Sequence, residues 1–193
     1  MAAEHIGQPV RRSAAQPLLA VAFLASGAAL VIAIISGAPL GVVLGLLGLA
    51  AGLTVALRWT HADARGRALA GARLRVGLAA GILATGAYDG TRWLVVTLGG
   101  LQFWPFESFP LFGYLIAGQE IPRSAAYAVG TAYHLLNGLA FAISYSMLLG
   151  GRKWWWAVGW ALGLEAAMLT IYPTWLNLDS VMKEFTAVSL LGH

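Results

Sequence analysis

The sequence predicts an all-α integral membrane protein, and three observations support that prediction. Apolar residues make up 59% of the 193 residues and charged residues only 10%, whereas soluble domains carry about 25% charged residues. Apolar stretches near the roughly 20 residues that cross a bilayer recur along the chain. Arginine and lysine cluster beside alternate stretches, as the positive-inside rule requires. We therefore expect five complete transmembrane helices plus a partial or truncated sixth, with the N-terminus in the cytoplasm.

The first part of the chain predicts a tail and a helical hairpin. Residues 1–16 form a polar cytoplasmic tail, and residues 17–57 hold two uncharged spans. Arg11-Arg12 before an apolar run also fits a twin-arginine export signal, but an uncleaved helix is favoured because further spans follow at once. Glycines at small-xxx-small spacing indicate close helix packing in the second span, and they are Gly41, Gly45, Gly48 and Gly52. We expect this hairpin to serve packing.

Residues 58–75 predict a basic cytoplasmic loop. Its cations are Arg58, Arg65, Arg67, Arg73 and Arg75, against a single acid, Asp63. This charge suits a topology anchor and attracts anionic lipid headgroups. Nucleic acid is disfavoured as a partner, because few aromatic residues interleave with the arginines.

The third span and the segment after it carry unusual polar and aromatic residues. Asp89 and Arg92 are three apart within span 76–98, so they can pair on one helix face. Segment 99–121 is too rich in proline for a span and too aromatic for a loop. It is predicted to lie at the outer interface or to re-enter the protein, with Trp104 as an interfacial anchor and Glu107 beside it.

The fourth and fifth spans each place a polar group in an apolar helix. Span 124–149 contains His134 and Asn137, which share a face. Span 154–172 contains Glu165 and begins with an aromatic belt made of Trp154, Trp155 and Trp156. Residues 181–193 are too short for a span. They form a half-helix or, as we favour, the beginning of a truncated sixth span.

Polar residues from three spans are predicted to meet. At 1.5 Å per residue, Asp89, His134 and Glu165 each fall about 15–20 Å along their spans, at a similar depth in the outer half. The candidate polar site comprises Asp89, Arg92, His134, Asn137 and Glu165, with Glu107 at its mouth. The alternatives are a local Asp89–Arg92 ion pair, and hydrogen bonding by His134 and Asn137 that only joins helices.

Several chemistries lack a sequence signal. The chain has no cysteine, which excludes disulfides, thiolate metal sites and a cysteine nucleophile. No metal-ligand spacing, phosphate-binding loop or serine nucleophile motif is present. We therefore predict no metal, no cofactor and no catalytic residues.

Three functions remain open at this point. The first is binding or permeation of a small ion, proton or polar solute through the polar site. The second is a structural or accessory subunit of a larger membrane complex, or a homo-oligomer. The third, least favoured, is a membrane enzyme using His134 as general base with Asp89 or Glu165. All three place the protein in the lipid bilayer of a cell membrane.

Residues 73–193 resemble a family of small bacterial multi-pass membrane proteins of uncharacterised function. The resemblance is carried by Ala87-Tyr88-Asp89, Trp104-Pro105-Phe106-Glu107, Tyr133-His134-Leu135-Leu136-Asn137-Gly138 and Tyr172-Pro173-Thr174-Trp175. The end of the chain, Ser189-Leu190-Leu191-Gly192-His193, resembles the start of that family's last span. The resemblance implies a bacterial inner-membrane location and no particular activity.

Overall fold

A computed structural model describes residues 15–102 and 104–176, with side chains from residue 16 to residue 171. These residues form seven helices and no strand. The helices are α1 Ala15–Phe23, α2 Ala25–Ser36, α3 Leu40–His61, α4 Ala64–Gly99, α5 Ser108–Ala117, α6 Arg123–Leu149 and α7 Trp155–Leu176. The predicted polar tail and sixth segment lie almost wholly outside the described residues.

Three helices, α3, α4 and α6, are long and apolar enough to cross a membrane, and the bent pair α1–α2 makes a fourth if it is one span. This confirms an all-helical protein with several candidate spans. The apolar stretch of α7, Trp155–Ile171, is shorter than these three helices. The count of five complete spans stays a prediction.

The predicted first span is broken by a bend of 52° between α1 and α2. At the break, the amide of Leu24 donates to the carbonyl of Val21 over 3.0 Å. Beyond it, the hydroxyl of Tyr133 on α6 donates to the carbonyl of Ser26 over 2.9 Å. A contact from a distant helix thus accompanies the bend, and no proline near the break indicates it in the sequence.

The predicted basic loop at 58–75 is mostly helical, which corrects the loop assignment. Helix α3 continues to His61 and α4 begins at Ala64. The side chain of Asp63 caps α4 by accepting a 2.7 Å hydrogen bond from the amide of Gly66. Most of the segment's arginines therefore lie near the end of α3 or the start of α4. Their positive charge is concentrated at that end of the bundle.

Helix α6 is the centre of the bundle, in contact with α1, α2, α4, α5 and α7. It runs antiparallel to α4. Near one end the guanidinium of Arg73 donates to the carbonyl of Ser146 over 3.1 Å, and the hydroxyl of Ser146 donates to the carbonyl of Arg73 over 2.9 Å. A Cβ atom at Gly77 would lie only 2.6 Å from the Cα of Ile143. Glycine therefore allows the two backbones to touch.

The aromatic segment at 99–121 contains α5, a short apolar helix that packs closely on α6. A Cβ atom at Gly113 would clash with the carbonyl of Ala126, and one at Gly130 with the carbonyl of Phe109. Phe109 and Phe112 are buried by this packing. Within the segment predicted to be interfacial or re-entrant, α5 is thus docked on α6 by backbone contact; whether it lies at the interface or re-enters stays a prediction.

Of the four glycines predicted to mediate packing in the second span, one makes a close contact. An added Cβ at Gly41 would meet the carbonyl of Ile116 on α5. At Gly45, Gly48 and Gly52 an added Cβ would meet open space beyond its own helix, and the same holds for Gly159 and Gly163 on α7. These five glycines therefore do not mediate close packing against the described residues.

Candidate polar site

The described part of the chain joins two of the predicted site residues, Asp89 on α4 and His134 on α6. The Nε2 atom of His134 lies 3.1 Å from Oδ1 and 3.0 Å from Oδ2 of Asp89. The two side chains keep 19% (His134) and 23% (Asp89) of their surface exposed. This is a carboxylate–imidazole pair linking two candidate membrane spans.

The pair follows from the antiparallel seam between α4 and α6. Gly77 faces Ile143, and Gly81, four residues on, faces Leu139. One turn further, Thr85 packs against Gly138. The next position on the same stripe of α4 is Asp89, opposite His134. Small residues thus set a helix separation that a carboxylate and an imidazole can bridge.

Aromatic rings enclose the imidazole of His134. The ring of Phe109 on α5 lies 4.8 Å from it, and the ring of Tyr88 on α4 lies 6.3 Å from it, both between ring centroids. The sequence placed Phe109 in an interfacial segment and did not assign it to the site. The many aromatic residues around Phe109 in the sequence could have suggested a packing role. Only the packing of α5 on α6 shows that its ring covers His134.

Arg92 is buried beside the pair, with 5% of its surface exposed. Its Nη2 donates to the carbonyl of Pro105 over 3.0 Å, and its Cζ lies 4.9 Å from the centroid of the Tyr88 ring. Within the described residues, the salt bridge of Asp89 is with His134. The Asp89–Arg92 ion pair, one of the alternatives that the sequence left open, is therefore not observed. Arg92 instead forms a hydrogen bond with the turn before α5.

Between described residues, Asn137 and Glu107 form no hydrogen bond or salt bridge with the Asp89–His134 pair. The Oδ1 of Asn137 is buried without a hydrogen-bond partner there. Glu165 is buried on α7, with 2% of its surface exposed. Glu107, the predicted mouth, forms a 2.8 Å ion pair with Arg123, and both side chains are more than half exposed.

Within the described residues, no three histidine or acidic side chains are placed to hold a metal ion. The predicted interfacial tryptophans are exposed, at 41% for Trp104, 74% for Trp154 and 48% for each of Trp155 and Trp156. Lys153 lies over the ring of Trp155, with its Nζ 4.6 Å from the centroid. Such exposure suits rings that contact lipid headgroups.

Comparisons with protein-family models, with curated proteins and with solved structures find no match to this chain.

Proposed function

We propose that this protein binds a proton within the membrane and passes it across by way of the Asp89–His134 pair. The observation that carries the proposal is the contact between the His134 Nε2 and both Asp89 oxygens, at 3.0 and 3.1 Å. The proposal includes a multi-pass topology of five complete spans with the N-terminus in the cytoplasm, in a bacterial inner membrane. It also includes membership of the small bacterial family that residues 73–193 resemble.

A carboxylate and an imidazole at this distance can take up and release a proton without breaking their contact. With His134 neutral, its Nε2–H donates to the Asp89 carboxylate. A proton added at Nδ1 converts the same hydrogen bond into an ion pair. Both states keep the geometry, so the cost of rearrangement at each transfer is small.

Arg92 supplies a fixed positive charge one helical turn from Asp89. A guanidinium does not lose its proton in proteins, so this charge is constant while the pair titrates. The guanidinium of Arg92 contacts the Pro105 carbonyl and the Tyr88 ring. The salt bridge of Asp89 within the described residues therefore remains the one with His134.

Burial of ionisable groups within spans also favours a functional role. Placing an ionisable side chain in a membrane interior costs free energy, and neutral amide or hydroxyl groups can join two helices by hydrogen bonds at a smaller free-energy cost. Both side chains nevertheless keep about a fifth of their surface exposed. The proposal requires that this exposed surface faces water and not lipid, so that the pair can exchange protons.

The test is proton flux into liposomes that contain the purified full-length protein, with charge balanced by potassium and valinomycin. We expect Asp89→Asn and His134→Gln to lower the flux at least about tenfold, since loss of a positioned proton-transferring group acts on that scale or above. Both substitutions keep size and hydrogen bonding but remove the titrating group. Internal pH is read from a trapped fluorescent dye.

Glu107→Gln is the matched control, because it makes the same type of carboxylate-to-amide change at an exposed ion pair outside the site. We expect its flux to stay within about twofold of the wild type, as for surface substitutions. Unchanged flux in folded Asp89→Asn protein would contradict the proposal, as would an equal loss in the Glu107→Gln control.

A further inference from the structure

At the end of the bundle opposite the polar site, a shallow groove lies between α1, α3 and α4. Two cationic side chains line it, Arg58 near the end of α3 and Arg67 near the start of α4. Its floor is apolar, formed by Leu19 and Ala70, which are 5% and 7% exposed. Trp59 stands at its edge with 44% of its surface exposed.

The charges in this groove are available to a ligand. The guanidinium of Arg58 makes no hydrogen bond or ion pair with the described residues. Arg67 donates one N–H to the carbonyl of Ala62 and keeps its remaining donors. The nearby carboxylate of Asp63 accepts from the amide of Gly66 and forms no salt bridge with a described residue. The two guanidiniums outnumber this single carboxylate, so the groove keeps a net positive charge.

We propose that this groove binds the phosphate of an anionic phospholipid. A guanidinium group can donate two parallel N–H hydrogen bonds to the oxygens of a phosphate. Two arginines that line one groove can therefore bind the same phosphate. Trp59 suits the headgroup level of a bilayer. The groove is independent of the proton pathway proposed above.

A lipid is the favoured source of that phosphate because of where the groove lies along α3. Arg58 and Trp59 are within the last turn of this helix, which is a candidate membrane span. The end of a span lies at the level of the bilayer headgroups, where the phosphates of lipids are concentrated.

The experiment is native mass spectrometry of the purified full chain in detergent, with equal amounts of phosphatidylglycerol and phosphatidylcholine added. We expect selective retention of phosphatidylglycerol by the wild type. The Arg58→Gln/Arg67→Gln variant should lose that selectivity about tenfold, the scale set by loss of charge-assisted contacts. The Arg65→Gln/Arg75→Gln variant removes equal charge from α4 outside the groove and should keep it.

Equal loss in both double variants would overturn the site in favour of a diffuse charge effect. Full displacement of phosphatidylglycerol by millimolar inorganic phosphate would overturn the lipid as the ligand. If loss of the Arg67–Ala62 contact prevents folding, Arg58→Gln alone replaces the double variant, because Arg58 has no role in that turn. Unchanged selectivity in folded Arg58→Gln protein would then count against the proposal.

Discussion

Arg92 is a buried cation held by one carbonyl and one aromatic face. Its Nη2 reaches the oxygen of Pro105, while its Nε is buried without a hydrogen-bond partner among the described residues. Pro105 is fully buried, so its carbonyl oxygen lies away from bulk water and depends on this guanidinium as its donor. Arg92 therefore connects the charge of the site to the position of the turn that leads into α5.

We expect Arg92→Gln to lower the free energy of unfolding by about 1.5–3 kcal/mol, because a buried charge-assisted hydrogen bond is lost and the Pro105 oxygen is left without its donor. Unfolding in mixed detergent micelles, titrated with a denaturing detergent, measures the change. Arg75→Gln on the same helix is the control, since that exposed side chain should change stability by less than about 0.5 kcal/mol. Equal stability of the two variants would show that the Pro105 contact contributes little.

The sequence could predict which single residues are costly in a span and part of how they meet. Asp89 and His134 stood out because ionisable groups in apolar helices are rare, and their similar depth along two spans placed them in one candidate site. The i, i+3 spacing left a local Asp89–Arg92 ion pair open as the alternative, and the structure pairs Asp89 with His134 instead. Spacing on one helix could not decide between the two, because the outcome depends on which face of the opposite helix is in contact.

At the scale of elements, glycines decide which helices meet closely. The α4–α6 seam uses Gly77 and Gly81, and α5 docks through Gly113 and Gly130. The same spacing on α3 and α7 leaves glycines with open surface. Spacing alone therefore predicts the capacity for close contact, while the identity of the neighbour depends on the whole bundle. The accessory-subunit hypothesis stays a prediction. The open glycines on α3 and α7 give it a concrete form, since another chain could pack on that surface.

We expect Gly77→Ala to separate α4 from α6 and to reduce proton flux along with stability. The added Cβ would lie 2.6 Å from the Cα of Ile143, a backbone atom that cannot rotate away. Overpacking of this kind costs about 1–3 kcal/mol. The same liposome flux assay and detergent titration measure both effects.

Gly86→Ala on the same helix is the control, because nothing lies within 4 Å of its added Cβ. Alanine favours helix over glycine by up to about 1 kcal/mol, so this variant should be as stable as the wild type or more so. A tolerated Gly77→Ala substitution with unchanged flux would mean that the seam does not fix the Asp89–His134 distance.

For the whole molecule, composition predicted the helical class better than it predicted the number of spans. An apolar fraction of 59% predicted a helical membrane protein, and the described residues are helical with three or four candidate spans. Apolar length alone did not reveal the 52° bend in the first segment, because the Tyr133–Ser26 contact that accompanies it comes from α6.

Orientation is the whole-molecule property that can be tested most directly, because the chain has no cysteine of its own. The Arg73–Ser146 hydrogen bonds place the α3–α4 turn and the end of α6 at one end of the bundle, and the α5–α6 connection lies at the other. Most arginines flank the first end. The positive-inside rule therefore predicts that this end faces the cytoplasm. In intact bacterial cells, Gln119→Cys should react with a membrane-impermeant maleimide, while Ala62→Cys should react only with a permeant one. The reverse labelling pattern would invert the topology and move the Asp89–His134 pair from the outer half of the membrane to the inner half.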